Sequence, residues 1–319
     1  MRITQIVTTL DKPCGIAYFA KNLHEHLLEF SIKSEIISQH NTELNSDVFI
    51  LHYHSELFNE KELVSYCNNS EIPVVVFAHS EGVEILNGLV YGFIGMCDGI
   101  FPENCQPSYI FPHPAWIPFA LSERIHLRKL YDLPVNRIMI GSNGFLKFER
   151  QFVEILNKLL PIARQNNWLV FLLISPWYLD SPGLIDKLEL YKTIYKDFFD
   201  FEYSYQNKVE LNKKLQTFDI LWCWTKAPSS PYASGVISDQ YASGTRIFAT
   251  DKNQHEHILK LPNVVRGSVD LNLFVEQLVS EIKTNNFQRH NPEIISWNRT
   301  VKELINFIRD LIMETRIIE

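Results

Sequence analysis

Short apolar runs rich in Val, Ile and Phe recur along the chain, and longer stretches with helical spacing of apolar residues separate many of them. A continuous apolar run bounded by Pro, Gly, Asn or Asp is typical of a strand buried in a parallel sheet. A first series of such runs predicts strands at 2–10, 34–39, 46–54, 73–79 and 99–103. A second series predicts strands at 136–144, 168–176, 199–203, 219–225, 246–251 and 263–269.

The longer stretches predict helices between the strands, and the clearest of them lie at residues 15–30, 150–164 and 271–282. Strands that alternate with helices indicate βαβ units and a parallel sheet. The two series therefore predict an α/β fold with two doubly wound, Rossmann-like domains. Open α/β sheets bind ligands at the carboxyl ends of their strands, so we expect the two domains to face each other across a cleft.

A proline-rich segment at residues 104–135, which includes His113, separates the two series. Closely spaced prolines do not fit a helix or a central strand, so the segment is interpreted as the crossing between the domains. We predict an N-terminal domain at 1–117 and a C-terminal domain at 118–296. The last helical pattern lies within 297–319, and this stretch is expected to pack back on the N-terminal domain.

The composition is that of an ordinary globular protein, with 46% apolar residues, 21% charged residues and a formal net charge of -7. The negative charge argues against a nucleic-acid surface, which needs clustered Lys and Arg. No apolar run reaches the roughly 18–20 residues that span a bilayer, and the N-terminus lacks the pattern of a signal peptide. Five scattered cysteines without Cys-x-x-Cys spacing favour reduced thiols and a cytoplasmic location.

Two Ser-Gly pairs, Ser234-Gly235 and Ser243-Gly244, lie about two helical turns apart in the segment PYASGVISDQYASGTRIFATD. A helix that begins at Gly235 with Ser234 as its N-cap would direct free backbone N–H groups at an anion, most simply a diphosphate. Gly244 would then end this helix. The alternative is that both pairs are only turn signals.

Two further glycine elements fit the same chemistry. Gly15 follows the first predicted strand and opens a helix. Gly144 ends the first strand of the second domain, and Lys147 and Arg150 follow it at the start of the next helix. Cations are unfavourable at a helix N-terminus unless an anion binds there. The alternatives are an ordinary glycine turn and a solvated pair of cations.

In this order, the segments resemble the GT-B glycosyltransferases, specifically the large retaining family numbered four, which uses nucleotide-diphosphate sugars. The resemblance covers most of the chain. It rests on CGIAYFAKNL, VVVFAHSEG, SERIHLRKLYDLPVNRIMIGSNGFLKFERQF, LNKKLQTFDILWCWT and ASGVISDQYASGTRIFATD. The resemblance implies the GT-B fold, a donor site in the second domain and an acceptor site in the first.

The resemblance also implies roles for particular residues. Arg150 and Lys147 would neutralise the leaving nucleotide diphosphate, and His79 would contact the transferred sugar near its anomeric centre; without the resemblance, His79 is interpreted as a packed histidine. The expected donor-binding residues are Gly15, Gly144, Tyr232, Ser234, Gly235, Val236 and Gln240. No protein nucleophile, cofactor or obligatory metal is expected.

The chain departs from the Glu-x7-Glu motif of the family, because Tyr232 and Gln240 stand at the two glutamate positions. The amide of Gln240 can still hydrogen-bond ribose hydroxyls, whereas Tyr232 cannot replace a carboxylate that contacts the sugar. Phe145 stands where the family has Arg, and Cys14 replaces a glycine. Arg150 stands where the family has Lys, so the positive charge is kept at that position. The phosphate-holding parts therefore match the family better than the sugar-holding parts.

Other residues that could bind ligands have simpler interpretations. The His-x-His pairs at 52–54 and 255–257 lack the third partner and the spacing of a zinc site, so no metal site is predicted. Trp222 and Trp224 are interpreted as core residues, with stacking on a base or sugar as the alternative.

Two segments bear on the acceptor. Segment 85–100 is apolar and predicts a buried helix, with a lipid-facing patch as the alternative. Segment 120–130 carries Arg124, Arg128 and Lys129 beside apolar residues, a pattern that can rest on anionic lipid. A lipid-linked acceptor and peripheral contact with the inner face of a membrane are therefore compatible with the sequence.

The sequence thus predicts a GT-B glycosyltransferase that moves a sugar from a nucleotide-diphosphate sugar to a surface glycan or glycolipid, with retention, as in polysaccharide biosynthesis. One alternative is a catalytically silent GT-B protein that binds nucleotide, glycan or a partner enzyme. A second alternative is a nucleotide-sugar epimerase on the same fold. The base, the sugar, the acceptor and the oligomeric state stay open.

Replacing Arg150 by Ala should weaken nucleotide binding, because its guanidinium group would neutralise the diphosphate. A nucleotide at about 100 times its dissociation constant should stabilise the wild-type protein by roughly 2.7 kcal/mol. Each kcal/mol should raise the thermal unfolding temperature by about 2–4 °C. The variant should show a smaller shift at the same nucleotide concentration. Equal shifts in the two proteins would contradict the assignment of Arg150.

Overall fold

In a computed structural model, the chain forms two compact units. The first unit comprises Met1–His113, Ser230–Ala233 and Trp297–Glu319, and the second unit comprises Pro114–Ser229 and Ser234–Ser296. The structure describes residues 1–318 except 9, 11–14, 39–44, 56, 98, 119, 147–150, 177–181 and 227–232.

The first unit contains a parallel sheet of six strands within the described residues. These strands are β1 (Arg2–Ile6), β2 (Lys33–Ile37), β3 (Val48–Tyr53), β4 (Val74–Ala78), β5 (Gly92–Gly95) and β6 (Ser108–Ile110). The order β2-β1-β3-β4-β5-β6 runs outward from β1 in both directions, which is the doubly wound arrangement. Helices α1 (Gly15–Glu29) and α2 (Glu60–Asn69) and a 3₁₀ turn at Val83–Leu86 connect the strands.

The segment after β4 differs from the prediction. The predicted strand at 99–103 and the predicted buried helix at 85–100 are both wrong, because the chain forms the short strand β5 inside this segment. All four residues of β5 are buried, and a Cβ on Gly92 would lie only 2.9 Å from Leu311 Cδ1. Glycine therefore permits a tightly packed strand here, and the lipid-facing alternative for the segment has no support.

Strand β6 lies inside the proline-rich segment, between Pro107 and Pro112, and forms one edge of the sheet. An edge strand tolerates neighbouring prolines because one side of its backbone has no strand partner. The crossing to the second unit therefore follows β6 instead of including it, and Pro114 is the first residue of the second unit.

The second unit contains another parallel sheet, with six strands in the described part of the chain and the order β12-β11-β10-β7-β8-β9. The strands are β7 (Met139–Phe145), β8 (Leu169–Ser175), β9 (Phe199–Tyr203), β10 (Ile220–Cys223), β11 (Arg246–Thr250) and β12 (Val264–Gly267). The helices are α3 (Arg124–Leu130), α4 (Phe152–Gln165), α5 (Pro182–Ile194), α6 (Lys208–Leu215), α7 (Gly235–Ala242), α8 (Glu256–Leu259) and α9 (Leu271–Lys283), with 3₁₀ turns at Asn253–His255 and Glu293–Ile295. Each predicted strand of the second series overlaps one of these, because each is a buried apolar run.

One large cluster of apolar side chains forms a core of the second unit, with the facing sides of α4 and α9 packed on the sheet. Trp222 and Trp224 are buried in this cluster, as their interpretation as core residues predicts. Within the described residues, four cysteines are buried and form no disulfide bond, namely Cys67, Cys97, Cys105 and Cys223.

Helix α10 (Trp297–Ile318) completes a core of the first unit. Its residues Trp297, Val301 and Ile305 are spaced four apart, so they lie on one face and pack with Phe19 and Leu23 of α1. The rings of Phe19 and Trp297 lie 5.2 Å apart. Although α10 has 22 residues, the described part of the chain contains no helix with the length and apolar character needed to cross a bilayer.

A buried ion-pair network joins α3 to the sheet of the second unit. Asp219 accepts a hydrogen bond from Arg124 at 2.7 Å and one from Arg128 at 2.6 Å. The backbone N–H of Met139 donates to the same carboxylate at 2.7 Å. The expectation that Arg124 and Arg128 rest on anionic lipid is therefore wrong, because both guanidinium groups bind Asp219; Lys129 is exposed.

Replacing Asp219 by Asn should lower the free energy of unfolding by about 3–5 kcal/mol, because two largely buried guanidinium groups lose their carboxylate. Asp251→Asn is a matched control, since Asp251 is 53% exposed and its 3.1 Å pair with Arg266 should contribute less than about 1 kcal/mol. Urea unfolding followed by circular dichroism measures both changes. Equal losses in the two variants would show that the network does not hold α3 on the sheet.

Candidate functional site

Helix α7 begins as the first Ser-Gly pair predicts. Ser234 occupies the N-cap position with an extended backbone, and its N–H donates to the carbonyl of Gln254 at 3.0 Å. The Ser234 side chain makes no capping hydrogen bond, so the serine hydroxyl does not satisfy the first N–H groups of the helix. The positive end of the α7 dipole therefore has no cap from the Ser234 side chain, and the N-terminus of a helix favours the binding of an anion.

The second Ser-Gly pair ends the same helix. Ser243 is the C-cap, and Gly244 follows it with a φ of +70°. Its N–H donates to the Tyr241 carbonyl at 3.0 Å. A Cβ at Gly244 would lie 2.5 Å from Leu121 Cδ1, so both the left-handed backbone and the close packing require glycine. The interpretation of Gly244 as the end of the helix is confirmed.

The carboxyl end of β7 lies against the first turn of α7. Gly144 has a φ of +121°, and a Cβ at this position would lie 3.0 Å from Val236 Cγ2. Two of the predicted donor-binding residues are therefore neighbours in the second unit. The absence of a side chain at Gly144 leaves the backbone of the strand end close to the start of the helix.

Gln240 forms hydrogen bonds in the interior of the second unit. It is completely buried, and its Nε2 donates to Asn143 Oδ1 at 2.9 Å and to the Trp222 carbonyl at 3.0 Å. Its Oε1 is buried without a hydrogen-bond partner among the described residues. The prediction that Gln240 contacts ribose gains no support, because its amide nitrogen already serves acceptors inside the second unit.

Several predicted site residues lie elsewhere. Gly15 is the first residue of α1, and a Cβ placed on it would meet no atom within 4 Å in the described part of the chain, apart from its sequence neighbours and the backbone of α1. Tyr232, Lys147 and Arg150 lie outside the described residues. Their predicted roles stay predictions.

His79 follows β4 directly and belongs to a group of polar side chains on neighbouring strands of the first unit. Its backbone N–H donates to the Tyr53 carbonyl at 2.9 Å, which fixes its position at the strand end. Its Nε2 lies 3.0 Å from Nδ1 of His52, and Nε2 of His52 lies 2.8 Å from Oε1 of Gln5. No pattern in the sequence marks this row, because its members come from three strands whose order a single sequence does not reveal.

Both imidazole rings of this row are neutral at ordinary pH. Burial lowers the pKa of His52 to about 3. Burial, and then the nearby imidazoles of His52, His113 and His54, hold the pKa of His79 well below its usual range. A neutral imidazole has one nitrogen that donates and one that accepts, so the hydrogen-bond partners of each ring indicate which of its nitrogens carries the proton.

Histidines of the two His-x-His pairs contact other groups of the protein. In the first pair, His52 is bound within the row just described. In the second pair, His255 Nδ1 lies 3.0 Å from the Thr250 carbonyl, whereas His257 Nε2 lies 3.1 Å from Ser238 Oγ. Across the described ranges, no three His, Cys, Asp or Glu side chains come together in a group that could hold a metal ion.

No protein-family model matches the sequence, and no curated protein matches it. Solved structures do match it over almost its whole length. HepE from Anabaena, solved with UDP and glucose, is 12% identical, with a TM-score of 0.67 over 97% of this chain and 99% of that chain. A glycosyltransferase from Rickettsia africae is 9% identical, with a TM-score of 0.64 over 99% of this chain and 96% of that chain.

A UDP-forming α,α-trehalose-phosphate synthase from Burkholderia xenovorans is 12% identical, with a TM-score of 0.56 over 92% of this chain and 75% of that chain. At these identities the likeness shows the fold alone. The chain has the GT-B fold of two Rossmann-like domains, as the sequence predicts.

The stability of the first unit should fall as the pH drops from 7 to 5. A buried histidine whose pKa is lower in the folded state takes up a proton first in the unfolded chain, so its stabilising effect is complete above about pH 6.5 and is lost toward the folded-state pKa. For His52, with a pKa near 3 against 6.5, the loss between pH 7 and 5 is about 2 kcal/mol.

Urea unfolding of the wild type and of His52→Gln at pH 7 and 5 measures this effect. The wild type should lose about 2 kcal/mol more than the variant over this range, because glutamine does not titrate. If both proteins lose the same free energy, His52 is not a buried neutral histidine.

Proposed function

We propose that this protein is a glycosyltransferase that moves a sugar from a nucleotide-diphosphate sugar to a surface glycan or glycolipid. The observation that carries the proposal is the GT-B fold along the whole chain, since the match with HepE covers 97% of this chain and 99% of that one. A single Rossmann-like domain would be weaker support, because that fold serves many unrelated functions.

The nucleotide diphosphate is proposed to bind at the start of α7. The uncapped N-terminus supports this, as does the glycine end of β7, where Gly144 lies against Val236. Gly235 and Val236 would supply backbone N–H groups to the phosphates, and Ser234 would contact them through its hydroxyl, because its own N–H donates to the Gln254 carbonyl. Arg150 and Lys147 are proposed to neutralise the charge that develops on the leaving nucleotide.

Uridine diphosphate is the first nucleotide to test. The HepE structures contain UDP with glucose, UDP alone or UDP-glucose. The pneumococcal O-GlcNAc transferase GtfA, which is 9% identical to this chain, was solved with UDP and GlcNAc. Several neighbours of the same fold therefore hold a uridine nucleotide, and we propose the same base for this protein.

Within the GT-B enzymes we propose membership of the retaining family numbered four, on the strength of the five sequence segments that share the order of its motifs. Retention would then need no protein nucleophile and no obligatory metal. His79 is proposed to contact the transferred sugar. We place the reaction in polysaccharide biosynthesis on the cytoplasmic side of the membrane.

A second candidate function is a GT-B protein that binds its nucleotide without turnover. Gln240 favours it, because it stands at one of the glutamate positions of the family and is fully buried, with its amide nitrogen bonded to Asn143 and Trp222. A side chain held in this way offers no carboxylate to the donor.

Thermal unfolding with UDP, GDP, TDP and their sugars tests the proposal, followed by assays of nucleotide release with candidate glycan acceptors. A transferase should be stabilised by one nucleotide class and should release that nucleotide when an acceptor is present. Stabilisation without release would support the second candidate. No stabilisation by any member of the panel would contradict both.

Replacing His79 by Ala should lower kcat by roughly 10²-fold or more and change nucleotide affinity little, because the imidazole is proposed to contact the sugar and not the nucleotide. His126→Ala is a suitable control, since His126 is exposed on α3. Steady-state kinetics and nucleotide titration separate the two effects. If His79→Ala behaves like the control, His79 is not part of the site.

A further inference from the structure

Three side chains of the first unit form a continuous hydrogen-bonded row. Gln5 comes from β1, His52 from β3, and His79 follows β4, and these three strands are neighbours in the sheet. The two hydrogen bonds measure 2.8 Å from Gln5 to His52 and 3.0 Å from His52 to His79. Gln5 is fully buried and His52 is 1% exposed, so neither side chain can exchange these partners for bulk water.

The chemistry of the row fixes where each proton lies. In the structure Oε1 of Gln5 faces His52, whereas Nε2 of Gln5 has no hydrogen-bond partner among the described residues. An amide oxygen can only accept, so in this orientation Nε2 of His52 carries a proton. His52 is neutral, because it is buried and none of its described hydrogen-bond partners is a carboxylate, and its Nδ1 therefore has no proton. That nitrogen must accept from Nε2 of His79. His79 is then protonated at Nε2 and has a lone pair at Nδ1.

Aromatic rings hold both imidazoles in place. Phe77 stacks on His52 at 5.4 Å and on His79 at 5.0 Å between ring centres. The edge of Phe19 meets His79 at 5.5 Å. Rings packed in this way do not rotate freely, so each imidazole keeps the same nitrogen toward its neighbour. His54 and His113 are the other titratable groups that act on His79.

The geometry points to His52 and Gln5 as positioning residues that set the tautomer of His79, so that its Nδ1 is an acceptor for a hydroxyl of the bound sugar. Nδ1 makes no hydrogen bond with any residue that the structure describes, which leaves it for a ligand. An acceptor nitrogen selects a sugar that carries a hydroxyl at that position over the corresponding deoxy sugar. The sugar in this inference rests on the proposed function, whereas the proton order does not.

Long-range ¹H–¹⁵N correlation spectra of histidine-labelled protein test the inference directly, because they distinguish protonated from unprotonated ring nitrogens. The His79 signals are identified by their loss in His79→Ala. In the wild type we expect His79 with a proton on Nε2 and none on Nδ1. The opposite tautomer, or a mixture of both, would overturn the inference whether or not the protein proves to be a glycosyltransferase.

Two substitutions of His52 separate positioning from packing. In His52→Phe, His79 should lose its single tautomer, because phenylalanine fills the space without accepting a proton. In His52→Gln the single tautomer should be retained, because the amide can accept from His79 and donate to Gln5. A pure His79 tautomer in both variants would overturn the role of His52. If His52→Phe does not fold, the spectra of the wild type and of His52→Gln still test the predicted tautomer of His79.

Kinetics with the nucleotide sugar found by the panel provide a second readout. His52→Phe should lower kcat by roughly 10–100-fold, the range for partners that orient a functional histidine, while KM changes little. His52→Gln should recover most of the activity. If the wild type transfers no sugar, the proposed function fails, and the spectra still test the proton positions in the row. Equal kcat values for the wild type and His52→Phe would overturn the role of His52 in activity.

Discussion

Parallel strand pairing is the constraint on which the rest of this structure depends. In a parallel sheet every strand ends at the same edge, and side chains at matching positions of adjacent strands project to the same face. In the first unit Gln5 pairs with Ile50 and His52 pairs with Phe77, so His52 and His79 each lie two residues beyond the paired position and on the same face. The three side chains therefore form one staggered row, although they lie 47 and 27 residues apart along the chain. In the second unit it brings the glycine end of β7 to the start of α7.

Elements could be predicted from the sequence where burial produces a continuous apolar run or where a turn requires glycine. The strands of the second unit are continuous apolar runs, and Gly244 ends α7 at the position that its spacing predicts. Strand β5 was missed because its glycines allow close packing with neighbouring side chains. The local sequence does not distinguish such a strand from an apolar helix that contains glycine. Strand β6 was missed because proline is a reliable signal against central strands only, and β6 is an edge.

Charged and polar residues were harder to interpret than apolar ones. Arg124 and Arg128 have the spacing of a basic surface, yet both bind Asp219, more than 90 residues further along. Gln240 has the spacing of a ligand contact, yet it joins Asn143 and Trp222 inside the unit. The partner of a polar side chain is set by tertiary neighbours, and a single sequence does not reveal them.

The position of α10 has a consequence for how the chain folds during synthesis. The whole of the second unit up to Ser296 precedes this helix, so it can leave the ribosome and fold while the first unit still lacks Trp297, Val301 and Ile305. Until those side chains arrive, the apolar face of α1 around Phe19 and Leu23 stays uncovered. The core that contains α1 is thus the last to close, and this incomplete core is the surface that a nascent-chain chaperone would have to shield.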